Sequence, residues 1–239
     1  MGLCLAAAAC SALSPDFGSA VAISITGPLT PSVEEGDTLR LSAQALDQGG
    51  AVLSDTVAWA VVDTGAIGFT IDTATGLITA LTPDTAHVQA HVGSLRSNPI
   101  QVIVTPMPDT VFATTARVVV ALTDVESQPL TTTVQDLTTI PGSPQYLGGK
   151  TVSYVIVDPT LATALYLEAH STTTDTLPGT DPARESTLSV GNGQAVLFVH
   201  KVAGQALPDS ATVEATGLTA RGVPVPGSPV RFTVVFLKS

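Results

Sequence analysis

The chain carries four histidines, twenty acidic side chains and two cysteines, and these are the groups that could do chemistry. His87 and His91 are its one close histidine pair. In Ala86-His87-Val88-Gln89-Ala90-His91-Val92 apolar and polar residues alternate, so the segment reads as a strand with both imidazoles and Gln89 on the wet face. Four residues of extended chain separate the rings by about 13 Å, too far to share one metal ion. His170 and His200 are isolated, and His200, beside Lys201, is expected as the outward member of an edge-facing strand. A glycosidase would need two carboxylates about 5 to 10 Å apart. Glu34, Glu35, Asp63, Asp72, Asp175 and Asp181 instead fall in segments that read as turns or loops, where each can be fully solvated. Asp72 with neighbouring carbonyls could ligate calcium, but Asp72-Thr73-Ala74-Thr75-Gly76 is more economically a turn: Asp accepts backbone N–H bonds and Gly takes the unusual φ. The sequence has no Gly-x-Ser-x-Gly elbow, His-Glu-x-x-His pair or phosphate-binding Gly-Lys loop. The expectation is therefore a chain with no catalytic residue, no cofactor and no metal site.

The cysteines tell a different story. Cys4 and Cys10 both lie in the opening run MGLCLAAAACSAL, so the rest of the chain has no thiol and can form no disulfide. That run is too short to span a bilayer core, which takes about twenty apolar residues, and it reads as an export signal. No Lys or Arg precedes Arg40, so the basic leading region of such a signal is missing, for which one explanation is a true start upstream with Met1 internal or misassigned. Leu5-Ala6-Ala7-Ala8-Ala9 before Cys10 resembles a bacterial lipobox. The resemblance implies lipidation at Cys10, with Ser11 after it permitting outer-membrane placement. Residues 1-19 are accordingly expected to be a signal and short tether, and the lipid the sole route to a membrane.

The elements that position these groups follow from composition. The chain is 44% hydrophobic but only 12% charged and 4% aromatic, with 20 Gly and 17 Pro, which favours many short strands and turns over long helices. Nine basic against twenty acidic residues, a net charge of -11, exclude a phosphate-backbone partner. In Thr38-Leu39-Arg40-Leu41-Ser42-Ala43-Gln44-Ala45-Leu46 the apolar residues point one way and Arg40, Ser42 and Gln44 the other. Strands are predicted at 21 to 26, 38 to 46, 56 to 62, 66 to 71, 77 to 80, 86 to 92 and 99 to 105, the count and spacing of an immunoglobulin-type sandwich. Trp59 is its expected core plug. Thr105-Pro106-Met107-Pro108-Asp109-Thr110 reads as a stiff linker. Beyond it strands are predicted at 117 to 123, 131 to 139, 151 to 157, 187 to 190, 194 to 202, 211 to 216 and 231 to 237, with a hairpin at Gly191-Asn192-Gly193. Residues 160 to 170 fit a strand or one helical face.

Gly36-Asp37-Thr38-Leu39-Arg40-Leu41, Val57-Ala58-Trp59, Thr75-Gly76-Leu77-Ile78-Thr79-Ala80 and Ala86-His87-Val88-Gln89-Ala90 occur in that order. Together they resemble the bacterial Ig-like group 2 domains of surface proteins. More distantly, Leu147-Gly148-Gly149-Lys150-Thr151-Val152-Ser153-Tyr154, Gly193-Gln194-Ala195 and Ala211-Thr212-Val213-Glu214-Ala215 resemble the Ig-like repeats of invasin and intimin, with enlarged loops at 124 to 145 and 171 to 186. The resemblances imply an all-β chain of two tandem immunoglobulin-like antiparallel β-sandwiches, 20-106 and 107-239. They also imply a non-catalytic exported surface or envelope protein that adheres or builds structure. Its partners would be other envelope or extracellular proteins or surface glycans. Two alternatives stand beside that reading. One is a carbohydrate-binding accessory protein, which would need exposed aromatics. The other is a filament subunit joined by strand addition, for which Arg231-Phe232-Thr233-Val234-Val235-Phe236-Leu237 could be the donated strand, although it also reads as the closing strand of its own domain. The Thr-rich run 170 to 178 suits a solvated or O-glycosylated loop. Asn98 before Pro99 and Asn192 before Gly193-Gln194 offer no N-glycosylation acceptor.

Overall fold

The computed structural model describes residues 18–28, 30–159, 164–169 and 183–238, which form strands and turns and no helix. The chain divides into two compact units, Met1–Val104 and Thr105–Ser239.

In the first unit the strands are β1 (Ala22–Thr26), β2 (Ser32–Glu34), β3 (Thr38–Arg40), β4 (Ser42–Leu46), β5 (Ala58–Val61), β6 (Phe69–Ile71), β7 (Leu77–Ala80), β8 (Asp84–Val92), β9 (Leu95–Arg96) and β10 (Ile100–Thr105). One sheet runs β2-β10-β8-β5 with β9 beside β8; β3-β7-β6 and β1-β4 form the opposing layer. Alternation decides what each strand buries: Ala86, Val88 and Ala90 turn inward from β8, and Ile100, Val102 and Val104 from β10. They meet Leu41, Trp59, Phe69 and Ile78 in one core. This is the two-layer pairing of an immunoglobulin-type sandwich. The expected strand 38 to 46 is divided at Leu41 by a change of partner: β3 pairs with β7, a register that the Leu41 N–H bond to Gly76 O at 3.0 Å continues, and β4 pairs with β1. The three-residue β2 and two-residue β9 are strands that the sequence pattern did not predict.

The second unit contains β11 (Thr110–Phe112), β12 (Arg117–Val120), β13 (Leu130–Asp136), β14 (Gln145–Tyr146), β15 (Thr151–Asp158), β16 (Leu165–Glu168), β17 (Arg184–Leu188), β18 (Gln194–Lys201), β19 (Ser210–Gly217) and β20 (Val230–Phe236). Its sheets are β11-β13-β18-β16, with β14 beside β13, and β12-β20-β19-β15-β17. Both contribute to one core in which Tyr154 and Phe232 are the largest fully buried side chains, their ring centroids 6.4 Å apart. Within this unit β12 runs parallel to β20, and the other neighbouring strands of the second sheet pair antiparallel.

Three expectations change here. The Gly191–Gly193 turn is present, with Gly193 N–H donating to Val190 O at 2.8 Å, but β17 and β18 belong to different sheets. It is a crossing between layers and not a hairpin. Within the ambiguous stretch 160 to 170, Leu165–Glu168 is a strand, because Leu165 and Leu167 bury together against β18 in a period of two. Inside the enlarged stretch 124 to 145 the predicted strand 131 to 139 is β13, which ends earlier, at Asp136, and pairs with both β11 and β18.

Candidate functional site

The 72–76 turn folds as its composition requires. Asp72 Oδ1 accepts from Ala74 N at 3.0 Å, Thr75 N at 2.7 Å and Thr75 Oγ1 at 2.8 Å. These bonds, those of Thr75 foremost, hold the Asp72 carboxyl below its ordinary 3.8, with Arg40 adding a smaller pull. Asp72 is thus occupied as a turn cap, which leaves the calcium reading without support. Gly76 closes the turn at φ +67°, and a Cβ there would stand 2.6 Å from Trp59 Nε1 and 2.8 Å from Leu41 O. Glycine is required both by conformation and by the indole lying against it.

Trp59 is 3% exposed, as a core plug should be, yet it also borders open space. A cleft of about 290 Å³ is lined by Trp59 together with Arg40, Ser42, Asp55, Thr56 and Thr75. Alternation along 38 to 46 marks Arg40 and Ser42 as outward. It gives no sign that Asp55 and Thr56, in the approach to β5, come over them.

The histidines separate into two environments. His87, Gln89 and His91 share the outward face of β8, as expected. His87 is nevertheless paired: its Nδ1 lies 3.0 Å from Asp63 Oδ2, and its N–H donates to the same oxygen at 2.7 Å, with both side chains half exposed. The His87 amide, then its ring, lowers the Asp63 pKa, so Asp63 is a bound carboxylate and not a fully solvated one. His200 departs further from expectation. It lies in β18, which is flanked on both sides by strands, and its side chain is 12% exposed. The ring stacks on Tyr166 with centroids 4.9 Å apart, and Nε2 stands 3.5 Å from Glu126 Oε2 and 3.5 Å from Glu168 Oε2, without hydrogen-bond geometry to either. The register Tyr166↔His200 brings these groups together, and the sequence read as isolated residues could not show it. Glu34 is likewise buried, at 7% exposure in β2, rather than solvated in a loop.

A third polar cluster closes the end of β13. Asp136 Oδ1 accepts from Thr138 N at 2.8 Å and Thr139 N at 3.0 Å, while Asp109 Oδ2 accepts from Leu137 N and Thr138 Oγ1, both at 2.9 Å. Burial pushes the Asp136 carboxyl up, but the Thr139 and Thr138 bonds outweigh it and leave its pKa lowered. Among the described residues no group of three or more His, Cys, Asp or Glu side chains could hold a metal ion. Cys10, His170, Asp175, Asp181 and the Thr-rich run lie outside the described residues.

No family model matches the chain, and no curated protein matches it. Among solved structures, the adhesin InvE of Yersinia pseudotuberculosis overlaps 90% of this chain at 16% identity and TM-score 0.37; this chain spans 59% of that one. The D00-D0 domain of intimin overlaps 90% of this chain and 100% of its own at 15% identity and TM-score 0.32. The fibronectin(III)-like modules of Clostridium thermocellum CbhA overlap 91% of this chain and 97% of their own at 14% identity and TM-score 0.37.

Proposed function

We propose that the chain is a non-catalytic, exported surface or envelope protein whose two β-sandwich units act as independent domains in adhesion or envelope structure, anchored by lipid at Cys10. One observation carries the reading. Three of the carboxylates weighed above serve the fold: Asp72 caps a turn, Asp63 pairs with the outward face of β8, and Asp136 closes the end of β13. None of these three converges with a second acid or a nucleophile on a shared reactive point, and Glu126 and Glu168, which meet at His200 Nε2, make no hydrogen bond to it. A spacer or adhesive module needs stable sheets and an accessible surface, and the -11 charge suits solubility outside a cell. Strand donation through 231–237 finds less support, because β20 is already paired with β19 on one side and β12 on the other. Glycan binding draws support from the polar cleft beside Trp59.

The test is made in the producing cell. The protein should sediment with the envelope and be cut by protease added to intact cells. Recovery in the soluble cytosolic fraction, protected from that protease, would exclude the reading.

A further inference from the structure

We propose that the cleft beside Trp59 is a binding site for a single neutral sugar ring. This deepens the glycan-binding form of the reading above but depends neither on lipidation nor on surface display. The starting point is the indole N–H. Trp59 is almost wholly buried and lines the cleft, and its Nε1–H has no acceptor among the described residues. Nε1 nevertheless keeps some contact with solvent, and the cleft is the open space that Trp59 borders. A buried donor of this kind takes its acceptor from whatever fills the space before it. Gly76 lies against the same nitrogen without crowding it, since any Cβ there would fall 2.6 Å from Nε1.

The other lining groups set the chemistry. Arg40 offers guanidinium donors and Asp55 carboxylate acceptors, and neither has a hydrogen bond or ion pair among the described residues. Ser42 and Thr56 add hydroxyls that can donate or accept. A carboxylate ligand would satisfy Arg40 and the indole but meet Asp55 and the field of a chain with net charge -11. An ammonium ligand would satisfy Asp55 but meet Arg40 and a donor N–H. An apolar ligand would strand all three. A neutral polyol presents donors and acceptors together and answers each group. At about 290 Å³ the cleft has the size of the smaller ligand pockets, enough for one ring.

Trp59 is the only tryptophan, so the full-length protein gives one indole N–H cross-peak in a ¹⁵N–¹H spectrum. The probes are methyl glucoside, methyl galactoside and methyl mannoside at millimolar concentration, with acetate and methylammonium as single-charge comparisons. The expected result is a saturable movement of the Trp59 cross-peak with at least one glycoside. Arg40→Ala and Asp55→Ala, both exposed and so expected to leave the remaining spectrum intact, should each weaken binding about tenfold, the loss of one charge-assisted hydrogen bond. The proposal is overturned by a cross-peak unmoved by all three glycosides, by an equal movement with acetate or methylammonium, or by variants that bind as tightly as the parent. Because the readout is local to the cleft, its failure leaves the surface-protein reading standing, and a cytosolic location would leave a positive titration standing.

Discussion

Gly76 and Trp59 show how one side chain of the core depends on the absence of another. Gly76→Ala would place a methyl group against the indole nitrogen and the Leu41 carbonyl, and hold an L-residue at φ +67°. The expected cost is about 1–3 kcal/mol, read as a lowered urea midpoint. A variant as stable as the parent would mean that the turn does not pack against the indole. Tyr154 is the corresponding plug of the second unit. Its hydroxyl donates to Ala195 O at 2.9 Å, and burial pushes its pKa up to about 12. The sign follows from linkage. The unfolded chain loses this proton near the ordinary 10.0 and the folded chain only near 12, so Tyr154 contributes stability in full below pH 10.0 that disappears as pH rises toward about 12. Melting temperature should fall across that alkaline window, and Tyr154→Phe should flatten the fall while costing about 1 kcal/mol at neutral pH for the lost hydrogen bond. A slope unchanged in the variant would place the alkaline transition elsewhere.

At the level of elements, the 72–76 turn joins β6 to β7, and its cap is sensitive to acid. The bonds to Thr75 depress the Asp72 pKa, so its contribution is present above 3.8 and lost as pH falls through the lower folded value. Asp72→Ala should remove that part of the acid dependence and leave the alkaline limb unchanged, as checked by melts across both ranges. An acid limb identical to the parent's would show that the cap adds nothing. The same turn shows what was legible in the sequence. Leu77–Ala80 agrees with its predicted bounds, because alternation and a flanking Asp-Gly frame are local properties. The break at Leu41, the crossing at Gly191–Gly193 and the His200–Tyr166 stack were hidden, because each depends on which strand lies alongside, a matter of register and not of local pattern. Trp59 was legible as core, but the cleft at its edge was not. Asp55 reaches it from an irregular stretch with no periodicity to read, and Thr56 from the start of the predicted strand 56 to 62, which pairs only from Ala58.

Across the whole chain, the two units carry separate cores, Trp59 and Ile78 in one and Tyr154 and Phe232 in the other. Residues 20–106 and 107–239 expressed separately should each melt cooperatively with a β-type circular dichroism spectrum, and a half that stays unfolded alone would show that its core needs the other. Anchoring is the remaining question at this scale, and it turns on one atom, the Cys10 sulfur. After Cys10 the sequence has no thiol for acylation, and the described residues contain no helix able to cross a membrane. The -11 charge also opposes binding to anionic headgroups, so the proposed lipid on Cys10 is the attachment to test. Each buried methylene adds about 0.8 kcal/mol, and one acyl chain holds only marginally, so stable attachment calls for several chains on the same residue. The protein made in its native context should therefore partition into detergent and carry a mass increment of more than one acyl chain, and Cys10→Ser should move it to the aqueous phase with its melting behaviour unchanged. Aqueous partitioning of the parent protein, correctly processed and without added mass, would remove the anchor while leaving export and both β-sandwich units as described.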